Sequence, residues 1–304
     1  MKSPLPKVAH PVLGVPMVLR VVKQAFKAGL DSPVVVVGHG KESVIPLLEE
    51  AGASWAVQAE QLGTAHALSC GFKDMTSGSV TVLLGDVPLI KSSTISELEE
   101  ARRKAGAAIA VLSTFPPDPS GYGRIVRDGD MLSAIVEDRD CTPRQLKTGE
   151  INTGLMSFDG RVLSELLRKI KTDNDQGEYY LTDAVSIAVS MGMPCIAVVA
   201  GDYREVSGVN DRIQLACATD NLRRQVLEAQ MTSGVNIPDP GGVWIEDSVE
   251  IGTGVSIGRS ARLSGETVIG DNCIVGDGSV LIDTAVPSGT IIEPYSVMGW
   301  RGTL

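Results

Sequence analysis

The chain has 304 residues, a formal net charge of −10 and a 43% hydrophobic share, enough for at least one full core and read here as two domains. The acid excess argues against nucleic-acid binding, which needs a basic footprint, and no apolar run reaches the ~18 to 20 residues of a membrane span. With no secretory h-region at the start, and five scattered cysteines without CxxC spacing, the reading is a cytoplasmic protein with reduced thiols and no zinc site.

In chain order, apolar runs at 33–37, 80–85, 109–112 and 196–199 read as buried strands. Between them, segments 41–50, 93–104, 160–171 and 181–190 carry apolar residues at helical spacing. This alternation predicts an α/β domain, Rossmann-like, with a mostly parallel sheet. A longer helical stretch at 211–231, with Asn210 or Asp211 as its cap, ends near Gly234. The Pro- and Gly-rich run 238–242 then marks a boundary, giving domains 1–234 and 235–304.

Beyond the boundary the period becomes six. Ile251, Ile257, Leu263, Ile269, Val275 and Leu281 recur at that interval, and Gly252, Gly258, Gly270 and Gly276 each follow one of them. A helix demands a period of about 3.6, so the second domain is read as a short left-handed parallel β-helix of about three coils. The repeat falters at Pro287, and Trp300 is a candidate lid for the last coil.

Chemistry concentrates in the first domain. The stretch Leu84-Gly85-Asp86-Val87-Pro88-Leu89 ends an apolar run in Gly-Asp, placing a carboxylate at the sheet edge where ligands bind in such folds. An aspartate there can hold Mg²⁺ through one or two oxygens, or simply cap the helix after Pro88. Gly63-Thr64 before a helical run offers free N–H groups to a phosphate or base, and Gln58 suits a nucleobase edge. A plain polar loop with a Thr cap fits the same residues, with His66 a helix-face residue. The stretches 121–124, 135–138, 150–154 and 209–210 supply amide, carboxylate and bare backbone suited to sugar hydroxyls and an N-acetyl group.

In order, Leu5-Pro6-Lys7-Val8, Gly38-His39-Gly40, 58–66, 85–89, 121–125, 150–154, Gln176-Gly177-Glu178-Tyr179-Tyr180-Leu181-Thr182-Asp183 and Gly208-Val209-Asn210 resemble one family. It is the bacterial bifunctional N-acetylglucosamine-1-phosphate uridyltransferase/glucosamine-1-phosphate acetyltransferase. The resemblance runs from residue 1 to about 234 and into the first coils. It implies uridylyl transfer from UTP to N-acetylglucosamine-1-phosphate with Mg²⁺, releasing pyrophosphate and making a cell-wall precursor. It also implies roles. Lys7 contacts the nucleotide phosphates, Gln58, Gly63 and Thr64 contact uracil and ribose, and Gly85 borders the nucleotide. Asp86 and Asn210 are the implied metal ligands, while Gly123, Glu137 and Asn152, with Asn210, hold the amino sugar. A homotrimer through the β-helix is a further arrangement the resemblance leaves open.

Two departures from the family temper these expectations. The family opens with an apolar strand and a loop of the form L-A-A-G-x-G-T-R-M, and Met1 falls at the last position of that motif. The expectation is therefore that translation starts upstream and that residues 1–304 alone fold or act poorly. The acetyltransferase half needs a histidine in its coils, yet no histidine follows His66, so acetyl transfer is expected to be absent. Two alternatives stay open: a related sugar-1-phosphate nucleotidyltransferase of other specificity, and a catalytically impaired binding or oligomerisation module.

Overall fold

The computed structural model describes residues 1–72 and 78–299; Trp300, read above as a lid, lies outside them. The chain divides into two compact units, one of Met1–His10 and Pro16–Asp211, the other of Pro11–Val15 and Arg212–Leu304. A short strand pair, β1 (Pro11–Val12) and β2 (Val15–Pro16), precedes α1 (Met17–Lys27). Helix α1 buries Met17, Val18, Val21, Val22 and Ala25, the spacing that puts apolar residues on one helical face.

In the first unit, β3 (Val34–Val37) pairs in parallel with β4 (Ser54–Val57), and α2 (Lys41–Glu50) connects them. The larger sheet contains β5 (Ser79–Val82), β6 (Ile109–Thr114), β7 (Arg124–Asp128), β8 (Met131–Val136), β9 (Ile151–Asp159) and β10 (Cys195–Val199). Its path runs β10-β6-β9-β7-β8, with β5 joined to β9. Helices α3 (Thr64–Gly71), α4 (Ser92–Lys104), α5 (Gly160–Lys169) and α6 (Asp183–Ser190) complete the layers.

The α/β class agrees with the sequence, but the sheet is mixed rather than mostly parallel. Strand β10 runs parallel to β6, whereas β9 runs antiparallel to both β5 and β6, and β7 antiparallel to β8. The reason is β9, a long strand whose polar residues disguise it. Its Asn152, Thr153 and Ser157 are buried beside Leu155, Met156 and Phe158. Thr153 Oγ1 donates to the Leu112 carbonyl at 2.7 Å, and Ser157 Oγ accepts from buried Arg102 Nε at 3.1 Å. Such bonds remove most of the cost of burying polar atoms. The core around β6 and β9 joins Ile109, Val111, Met156 and Phe158 to Leu163 and Leu166 of α5 and Val185 of α6.

The second unit opens with α7 (Arg212–Thr232), and Gly234, φ +102, follows it. Two- and three-residue strands then stack in three parallel columns, as a β-helix requires. Leu263 pairs with Leu281, Ile257 with Val275 and Ile251 with Ile269. Of the six residues predicted to point inward, Ile251 is half-buried and the other five are buried. Past Leu281 the repeat does not stop. Ile269 pairs with Val286 and Val275 with Ile292, so one step is a residue shorter and the register resumes. Pro287 breaks the hexad count without breaking the coil.

Candidate active site

The first cluster is built by three separate segments of the first unit. Lys7 starts a single 3-10 turn, Lys7–Ala9, anchored by buried Ala9. Asp86 follows β5 in a turn closed by Val87 N–H to the Leu84 carbonyl, with Val87 and Ile90 in the core. The Asp86 carbonyl accepts from Val209 N–H at 2.9 Å, which ties the 208–210 segment to this turn. Lys7 Nζ then stands 2.5 Å from Asp86 Oδ2 and 2.9 Å from Asn210 Oδ1. A carboxylate oxygen and an amide oxygen thus face one cation, and Gly208 lies beside both side chains. Gly85 packs toward Val8 and Val18 just before the carboxylate.

A second group comprises Gln58, Gly63 and Thr64. Gly63, φ +105, precedes α3, and a Cβ there would fall 2.6 Å from the Tyr179 carbonyl oxygen and 2.8 Å from its nitrogen. Only glycine permits this backbone approach. Gln58 Nε2 donates to the Gly63 carbonyl at 3.1 Å and lies 3.1 Å from Nδ1 of His66, which sits on α3. Thr64 Oγ1 accepts from Leu181 N–H at 3.0 Å. Gln58 also lines a cleft of about 450 Å³ with Gly38, His39, Lys41 and Gln61.

The third group is Gly123, Glu137 and Asn152. Asn152 N–H donates to the Gly123 carbonyl at 2.8 Å, and a Cβ on Gly123 would lie 3.3 Å from Glu137 Oε2. Burial raises the Glu137 pKa, with Asp140, Asp183 and Asp138 adding to it, against a hydrogen bond from Thr182 Oγ1 at 2.9 Å. The neighbouring Tyr122 hydroxyl is also pushed up, first by burial and then by the charge of Asp86.

One segment ties the second and third groups together. Tyr179 bonds to Leu62 and Ala65, Leu181 to Thr64, and Thr182 to Glu137. These residues belong to the 176–183 motif, and nothing in their type marks them as a strap. Arg127 carries no such mark in the sequence, and its ion pair with Glu150, the first residue of the 150–154 stretch, sits beside the start of β9.

Residues 1–136 match the MobA-like NTP transferase domain, so this part of the chain is a nucleotidyltransferase domain. Over nearly its whole length the chain is similar to proteins called Bifunctional protein GlmU. That of Syntrophotalea carbinolica is 41% identical over 300 residues, covering 98% of this chain and 65% of the relative. The Streptomyces avermitilis protein is 41% identical, covering 96% of the chain and 62% of the relative. For Clostridium beijerinckii the identity is 42%, with 88% and 59% covered. The chain thus spans only part of these relatives' length. The resemblance read from the motifs holds. Among the described residues, no helix is long and apolar enough to cross a membrane.

Proposed function

We propose that this chain transfers a uridylyl group from UTP to N-acetylglucosamine-1-phosphate in the cytoplasm, with release of pyrophosphate. The observation that carries the reading is that the Asp86 and Asn210 side-chain oxygens both face one cation, the Lys7 ammonium. The sugar phosphate is already anionic, so one of its oxygens can attack the α-phosphorus of UTP without a general base. The bond to the β-phosphate oxygen breaks and pyrophosphate leaves. What remains for the protein is in-line positioning and charge neutralisation.

The donor set suits Mg²⁺. Asp86 and Asn210 offer hard oxygens already turned toward a cation, the Lys7 ammonium. Such a site leaves the remaining coordination positions to phosphates and water. When bound, the ion neutralises phosphate charge. Lys7 supplies a second positive charge to the phosphates. Gln58, Gly63, Thr64 and Gly85 hold the nucleotide, and Gly123, Glu137 and Asn152, with Asn210, hold the amino sugar.

A homotrimer through the coils is supported by an outward ladder in which Ile274, 48% exposed, pairs with Ile291, 65% exposed. The test is a substrate panel of UTP with the 1-phosphates of N-acetylglucosamine, N-acetylgalactosamine and glucose, read by pyrophosphate release. Preference for N-acetylglucosamine-1-phosphate supports the reading, and preference for another sugar phosphate moves it to a sister nucleotidyltransferase.

A further inference from the structure

We infer that His66 is a positioning residue of the nucleobase site: it fixes the Gln58 carboxamide so that its oxygen alone is offered to the base. The inference rests on the uridylyl-transfer reading and names what selects the base.

Gln58 Nε2 lies 3.1 Å from the Gly63 carbonyl oxygen and 3.1 Å from His66 Nδ1. A backbone carbonyl only accepts, so the amide nitrogen must face it; the reversed amide would set two oxygens against each other. One N–H is thereby committed. The other meets His66 Nδ1, which must then present its lone pair, and the imidazole proton sits on Nε2. That nitrogen lies 3.9 Å from Cys70 Sγ, a soft acceptor one turn along α3. With both N–H groups committed, Oε1 is left without a protein partner among the described residues, on a side chain that lines the cleft with Gly38, His39 and Lys41.

A fixed acceptor pairs with a base that presents a ring N–H, as the imide of uracil does at N3. It repels the N3 lone pair of cytosine. Binding sites built to hydrogen-bond one group discriminate strongly against ligands that lack it, because the buried partner is left unpaired. Without His66 one of the two restraints is lost, and the amide, held by the Gly63 carbonyl alone, can swing its oxygen off the base.

Two measurements on the full chain test this. Nitrogen NMR of histidine-labelled protein reports which ring nitrogen of His66 carries the proton. Equilibrium binding of UTP and CTP is then compared between the wild type and His66→Phe. The expected results are the Nε2–H tautomer, and a preference for UTP over CTP that falls about tenfold in the variant through weaker UTP binding and unchanged or stronger CTP binding. A Nδ1–H tautomer, or an unchanged preference in a folded variant, overturns the inference. A purely structural role for His66 weakens both nucleotides alike and also overturns it. If the wild type binds neither nucleotide, the uridylyl-transfer reading fails, and the tautomer still decides the arrangement of Gln58 and His66.

Discussion

Arg127 grips Glu150 at two points, Nε to Oε2 at 2.8 Å and Nη2 to Oε1 at 2.6 Å, while Ser113 Oγ donates to the same carboxylate at 2.6 Å. The Glu150 carbonyl also accepts from Ile125 N–H at 3.1 Å, so this residue aligns β7 with the start of β9 and hence Gly123 with Asn152. Burial acts to raise the Glu150 pKa, but the hydrogen bonds from Arg127 and Ser113 and the charge of Arg127 hold it below the usual carboxylate value. A depressed carboxylate contributes stability that is present above its unfolded pKa and lost as pH falls through its folded one. Glu150→Gln should therefore cost about 1 to 3 kcal/mol at pH 7. Urea unfolding at pH 7 and again near pH 3 checks this, with the gap between variant and wild type closing at the lower pH.

Glu137 has the opposite sign. Its raised pKa, caused first by burial and then by Asp140, Asp183 and Asp138, means the ionised side chain is held at a loss of stability above its folded pKa. That loss disappears as pH falls below the ordinary carboxylate range. Glu137→Gln should raise the melting temperature at pH 8 by about 2 °C and leave it unchanged near pH 4. If the carboxylate holds the amino sugar, the same variant should raise KM for the sugar phosphate about tenfold. A variant both less stable and kinetically normal would contradict both roles.

Much of this was legible before any coordinates, and the reasons differ by region. Helices α2 and α4 and strand β6 follow from periodicity, because each has a clear apolar face or run. The hexads gave the coils, since a period of six leaves few folds to choose among. Strand β9 was not legible: Asn152, Thr153, Gly154 and Ser157 look like a turn until Thr153 is seen bonded to Leu112 and Ser157 to Arg102. The residue dropped between Leu281 and Val286 likewise looked like an end to the repeat. At the site, Lys7, Asp86 and Asn210 were marked by their motifs, but their shared hydrogen bonds depend on distant segments. The His66 contact with Gln58 is likewise tertiary, set by the backbone at Gly63.

Gly63 itself offers a sharp test. A side chain there meets the Tyr179 backbone at 2.6 Å and must adopt φ +105. Neither neighbour is a flexible side-chain tip, so Gly63→Ala should cost about 1 to 3 kcal/mol. UTP affinity should fall with it, because the Gly63 carbonyl that holds Gln58 moves. Thermal melts and nucleotide binding of the variant check both, and a variant with wild-type values in each would show the loop to be free of the constraint.

For assembly, Ile291 lies on the outward face in register with Ile274. Ile291→Lys should turn a trimer into a monomer by sedimentation velocity while leaving uridylyl transfer per chain unchanged, as the site lies in the first unit. A wild-type chain that sediments as a monomer at micromolar concentration would contradict the trimer.

The central claim is that Lys7, Asp86 and Asn210 gather the charges needed for nucleotidyl transfer. The most direct measurement is pyrophosphate release from UTP, N-acetylglucosamine-1-phosphate and Mg²⁺ by the wild type and Asp86→Ala, with circular dichroism confirming that both are folded. The wild type should release pyrophosphate steadily and the variant should lose at least about 100-fold, the scale seen when one preorganised charge-stabilising group is removed. A folded Asp86→Ala protein that retains wild-type turnover, or a folded wild type that releases no pyrophosphate, would contradict it.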